Sequence, residues 1–193
     1  MTSMSECKTR LRQVLGLARV AIGPPVLLVI AATQGVRVTG VATVALAHPA
    51  PGWRLALADV LAALALGTIA FWAAAALAGK RGTLAHFLMP VATAQLPLAG
   101  VALVVGRRIL AAMVARAATG RGEDELLANP LAAFSSLIPT VIVTLLLTIL
   151  VVGVLYTAYR RVTGLTGWRL PVSFAGGLLS AEVICRLWAW WAA

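Results

Sequence analysis

The chain has 193 residues, of which 61% are hydrophobic and 11% charged, with a formal charge of +10. An ordinary soluble domain carries about 25% charged residues, so a soluble globule is excluded. Nucleic-acid binding is excluded as well, because the 16 basic residues are spread over the ends of apolar stretches without clustering or interleaved aromatics. Two cysteines, Cys7 and Cys185, rule out a disulfide framework.

Five apolar stretches fill most of the sequence: Val20 to Ala32, Leu55 to Ala78, Ala85 to Gly106, Leu131 to Tyr159 and Leu170 to Ala193. A membrane-spanning helix needs about 20 apolar residues, which four of these meet alone. The first reaches it by extending into its flanks, over roughly 20–35. A bilayer offers no partner for open backbone, so the spans are expected to be helices. The expectation is a single domain over 1–193: an all-α integral membrane protein, a five-transmembrane-helix bundle with a short basic amphipathic N-terminal helix.

That N-terminal helix is read between Lys8 and Ile22, where Leu11, Val14, Leu15, Ala18 and Ile22 share one face and Lys8, Arg12, Gln13 and Arg19 the other. It suits either a helix lying in the headgroup layer or the charged start of the first span. A secretory leader also begins with cations before a short apolar run, but Gly23-Pro24-Pro25 interrupts this one, and the segment is read as retained. The same triplet predicts a break before Val26. Residues Val36 to Trp53 read as a connector whose apolar middle, Val41 to Ala47, is too short to cross. A tight basic loop, Gly79-Lys80-Arg81-Gly82-Thr83, follows the second span, and Pro90 and Pro97 predict a kinked third span. Arg107 to Pro130 reads as a polar connector. In the fourth span, Thr140, Thr144 and Thr148 share a face and are expected to bond back to their own helix or pack a neighbour.

Orientation follows from the cations. With the N-terminus inside, Lys8, Arg10, Arg12, Arg19, Lys80, Arg81, Arg160, Arg161 and Arg169 fall on the inner side, against Arg37, Arg54, Arg107, Arg108, Arg116 and Arg121 outside. The bias favours N-terminus in and C-terminus out. Trp53, Trp188, Trp190 and Trp191 then mark one interface, Tyr159 and Trp168 the other. The basic residues imply contact with anionic lipid.

Three residues form a candidate intramembrane polar site. Glu182 lies near the middle of the last span with Arg186 one turn on, and the expectation is an ion pair along that helix. Asp59, one turn inside the second span near Trp53 and Arg54, either joins them in a polar cavity or serves the interface. His48 and His86 fall in loops on opposite sides and make no metal site. No helix carries His-Glu-x-x-His, and neither a Gly-x-Ser-x-Gly elbow nor a phosphate loop is present. The residues therefore point to no enzyme, no metal and no cofactor. Gly176, Gly177 and Ser180 give the last span a small-residue face for close helix contact or self-association.

Phe71-Trp72, the loop from Ala78 through Gly79 and Gly82 to Leu84, the stretch Ala92 to Pro97, and the turn Tyr159-Arg160-Arg161-Val162-Thr163-Gly164-Leu165-Thr166 together resemble the membrane domain of the Yip (Ypt/Rab-interacting protein) family, in its short bacterial form. The resemblance covers roughly Leu55 to Leu187 and implies five spans, a cytoplasmic N-terminus and a non-enzymatic role in membrane organisation or trafficking-like processes. The eukaryotic members' N-terminal Asp-Leu-Tyr-Gly-Pro motif is lacking, and Ala92-Thr93 stands where their Gly-Tyr pair is usual, so GTPase binding is not carried over. High Ala, Arg and Gly usage suits a bacterium with GC-rich DNA and hence an inner membrane. The second class of function kept open is a small transporter or channel using the polar residues near Glu182 and Arg186.

Overall fold

A computed structural model describes residues 21–47, 51–80, 82–119 and 130–192. The basic N-terminal stretch, Cys7, His48 and Arg81 lie outside the described residues. In chain order the elements are helix α1 (Ala21–Gln34), strands β1 (Val36–Val38) and β2 (Val44–Leu46), and helices α2 (Trp53–Leu77), α3 (Ala85–Thr119), α4 (Pro130–Thr163) and α5 (Arg169–Trp191). Four segments are long and apolar enough to cross a membrane: Trp53–Leu77, Ala85–Gly106, Val141–Thr163 and Arg169–Trp191. The described part of α1 is shorter, about 21 Å at ~1.5 Å per residue.

The helices pack in two pairs, α2 along α5 and α3 along α4. Near the short turns, one aromatic cluster joins all four. Phe71 of α2 lies 5.5 Å from Tyr159 of α4 and 5.7 Å from Phe174 of α5, and Phe87 of α3 lies 6.1 Å from Tyr159. The Tyr159 hydroxyl bonds with Ser173, which donates to the Ala74 carbonyl at 3.0 Å. Gly177 belongs to the same contact, since a Cβ there would come within 2.8 Å of the Phe71 ring. α1 runs parallel to α3: Gly23 sits against Ala92 and Leu96, while Gln34 sits against Gly106.

Three expectations need correction. The chain is already helical through Gly23-Pro24-Pro25. The bonds those prolines forgo fall at residues 20 and 21, the edge of the described helix, so the ladder beyond Val26 is untouched. The polar connector expected from Arg107 to Pro130 is helical in its first half, because α3 continues through Pro90 and Pro97 without a break as far as Thr119. The segment after α1 is a short β-hairpin rather than a plain connector, set into the helical bundle that was expected.

The family-like glycines have local causes. Gly79, at φ +84°, terminates α2: its N–H bonds to the Ala76 carbonyl at 3.0 Å and that of Lys80 to Ala75 at 2.9 Å, a Schellman ending. The Gly82 carbonyl accepts from the Trp72 indole N–H at 2.9 Å, tying the loop back to α2. Pro97 lies half-buried within α3. Thr148 donates to the Thr144 carbonyl at 2.8 Å, the back-bonding expected of that stripe.

Candidate functional site

The hairpin is the centre of the candidate site. Gly35, at φ +66°, ends α1 and turns the chain back, and β1 and β2 pair antiparallel with Val36 opposite Leu46, Arg37 opposite Ala45 and Val38 opposite Val44. Period-two alternation puts Val36 and Val38 inward, at 0% and 2% exposure. The N–H groups of Thr39 and Gly40 close the tip on the Thr43 carbonyl at 3.2 and 3.1 Å. β1 packs on α2 and β2 on α3. Its tip reaches deep between the helices, because a Cβ at Gly67, well inside α2, would come within 2.6 Å of Val41. The hairpin enters and leaves at one end, which makes it a re-entrant loop. Such backbone is tolerated at this depth because its ladder is paired and helices cover it.

Two carboxylates hold it. Asp59, 1% exposed on α2, takes a forked pair from Arg37: Nε to Oδ2 at 2.9 Å and the terminal nitrogen to Oδ1 at 3.0 Å. A guanidinium is not deprotonated in proteins, so the contact is an ion pair as well as a pair of hydrogen bonds. Glu182, half-buried on α5, accepts from the Ala42 backbone N–H at 2.7 Å through Oε1 and from the Thr43 hydroxyl through Oε2. Gly40 permits this approach, since a Cβ there would fall on the Glu182 carboxylate.

The expected ion pair along α5 is therefore replaced. Arg186 is exposed, and Arg37–Asp59 is the one ion pair among the described residues. The hairpin tip brings an amide N–H and a hydroxyl to the carboxylate together, and Arg186 is left to reach outward. Asp59 and Glu182 meet the same hairpin at different levels, its stem and its tip, and Arg186 takes no part. Sequence reasoning missed Arg37, Thr43 and the Ala42 N–H. The available signal was the β-branched alternation of Val36-Arg37-Val38 around Gly40.

Gln95 is a further residue it did not single out. It lies in α3 at 1% exposure beside Gly23, and neither amide atom has a hydrogen-bond partner among the described residues. His86 is exposed and pairs with the Thr83 hydroxyl at 2.9 Å. Among the described residues no group of three or more His, Cys, Asp or Glu is placed to hold a metal. Lys80, Arg160 and Arg161 are exposed, with Arg169, at the end of the bundle that carries the two short turns.

No family model matches the chain, and neither curated proteins nor solved structures match it. The fold and site define a helical bundle of membrane-spanning type with a clasped re-entrant hairpin.

Proposed function

We propose that the chain is a non-enzymatic multi-pass protein of a bacterial inner membrane, a Yip-like adaptor or scaffold acting in membrane organisation or trafficking-like processes. In this reading α1 is completed to a fifth span by residues ahead of Ala21, and the basic end faces the cytoplasm with the C-terminus outside. The parallel course of α1 and α3 supports that parity. The observation that carries the reading is the use of both membrane-level carboxylates as clasps: Asp59 and Glu182 are occupied by Arg37, Ala42 and Thr43. Their bonding capacity is spent on structure, while Lys80, Arg160, Arg161 and Arg169 stand exposed for anionic lipid or an acidic partner. Self-association is an added expectation, since α4 is poorly covered by its neighbours.

A second reading, a small transporter or channel, has one observation in its favour, the buried amide of Gln95, which has no hydrogen-bond partner among the described residues. One experiment separates the two. The protein is extracted in polymer discs and everything that co-purifies is identified by mass spectrometry. The adaptor reading expects a stoichiometric protein partner, lost on charge reversal of Lys80, Arg81, Arg160 and Arg161. A protein recovered alone, and passing a solute in liposomes through a path closed by Gln95→Leu, overturns it.

A further inference from the structure

A cleft of about 780 Å³ runs between α2 and α5 on the outside of the bundle. Its walls are Ala73 and Leu77 on one side and Val172 and Gly176 on the other, and Trp168 and Arg169 stand at its mouth. The volume is that of a small-molecule site, which typically spans about 300–1,000 Å³. From Arg169 to Ile184 the cleft follows α5 for roughly 22 Å at 1.5 Å per residue, somewhat more than the ~15 Å of one leaflet's hydrocarbon.

We infer that this cleft binds one anionic phospholipid, with an acyl chain between α2 and α5 and the headgroup phosphate on Arg169. Hydrocarbon alone would not select a chain for the cleft, because bulk lipid is equally apolar; selection has to come from charge and shape. Both are present. The Arg169 guanidinium lies 6.0 Å from the centre of the exposed Trp168 ring, an amphipathic pair suited to headgroup depth. Lys80, Arg160 and Arg161 are exposed at the same end of the bundle, where the described residues contain no acidic side chain. A free phosphate would have no use for an apolar trough of this length, and a second copy would bring its own cations against these. The inference does not depend on the adaptor role, since it requires only that the bundle sit in a bilayer.

Gly176 makes the test clean. A Cβ there meets nothing within 4 Å, so the side chain of Gly176→Phe starts into open space and its ring occupies the cleft, and the substitution removes a glycine from a helix interior. Gly153 of α4, equally open, provides the matched control Gly153→Phe. Full-length protein is reconstituted in vesicles of phosphatidylethanolamine with phosphatidylglycerol, released in mild detergent and weighed by native mass spectrometry. Wild type and Gly153→Phe are expected to retain one phosphatidylglycerol per chain and Gly176→Phe none. Arg169→Gln is expected to lower the preference for phosphatidylglycerol over phosphatidylethanolamine by about fivefold, the worth of one cation near an anionic surface. Equal retention by wild type and Gly176→Phe overturns the proposal. So does a wild-type dimer without lipid that Gly176→Phe splits, which would assign the cleft to a second copy.

Discussion

Arg37 and Asp59 are 22 residues apart in sequence, and their forked contact closes where little water reaches, with side-chain exposures of 12% and 0%. Breaking such a pair by removing one member leaves a buried charge and costs about 3–5 kcal/mol, whereas replacing both by apolar groups of similar size is often near neutral. Arg37→Met alone and Asp59→Leu alone are therefore expected to destabilise by about that amount, and the double variant by much less. Thermal unfolding in a single detergent measures all three. Additive losses would mean that the two side chains are not coupled. The sequence marked Glu182 as an expensive residue needing a partner and left Asp59 between a polar cavity and the interface, but it could not reveal the partner of either. The nearest candidate for Glu182 was Arg186, one turn away. The chain instead uses a backbone N–H 140 positions earlier, a contact that exists only after the helices have packed.

At the scale of elements, the hairpin depends on its seat. Its strands have three residues each, too few for stability by themselves, and the stem and tip bonds to α2 and α5 supply what the ladder lacks. Glu182→Leu removes both acceptors for the tip while leaving the ion pair at the stem intact. In a background free of other cysteines, Ala42→Cys, at a position 5% exposed, is expected to resist a water-soluble maleimide, and to react at least tenfold faster once Glu182→Leu is added. Equal rates would show that Glu182 does not hold the tip. Spans such as Trp53–Leu77 and Arg169–Trp191 were legible because twenty or more apolar residues in a row have one physical solution in lipid. The extension of α3 to Thr119 was hidden, because arginines in its last turns read as a loop by polarity although they are sound helix formers. The hairpin was hidden for the opposite reason: its apolar residues are buried by helices distant in sequence.

For the molecule as a whole, alternation of the helices puts the turn after α2 and the turn after α4 at one end, and the hairpin base and the last residues of α5 at the other. Single cysteines at Lys80 and Thr166 are expected to label from one face of sealed vesicles, and cysteines at Gly52 and Ala192 from the opposite face. Labelling of Lys80 and Gly52 from the same face would break the topology. Five-fold crossing further requires residues ahead of Ala21 to label with Lys80.

The long reach of the hairpin also sets a schedule for biogenesis. Thr43 leaves the ribosome 139 residues before Glu182, an interval of roughly 7–28 s at about 5–20 residues per second. Arg37 needs only Asp59, 22 residues later, and can be neutralised early. The tip must wait until the final span has been threaded. A chain interrupted before α5 thus carries an unmatched polar loop at the depth of its own core, the kind of flaw by which a membrane protease could distinguish an unfinished copy from a finished one.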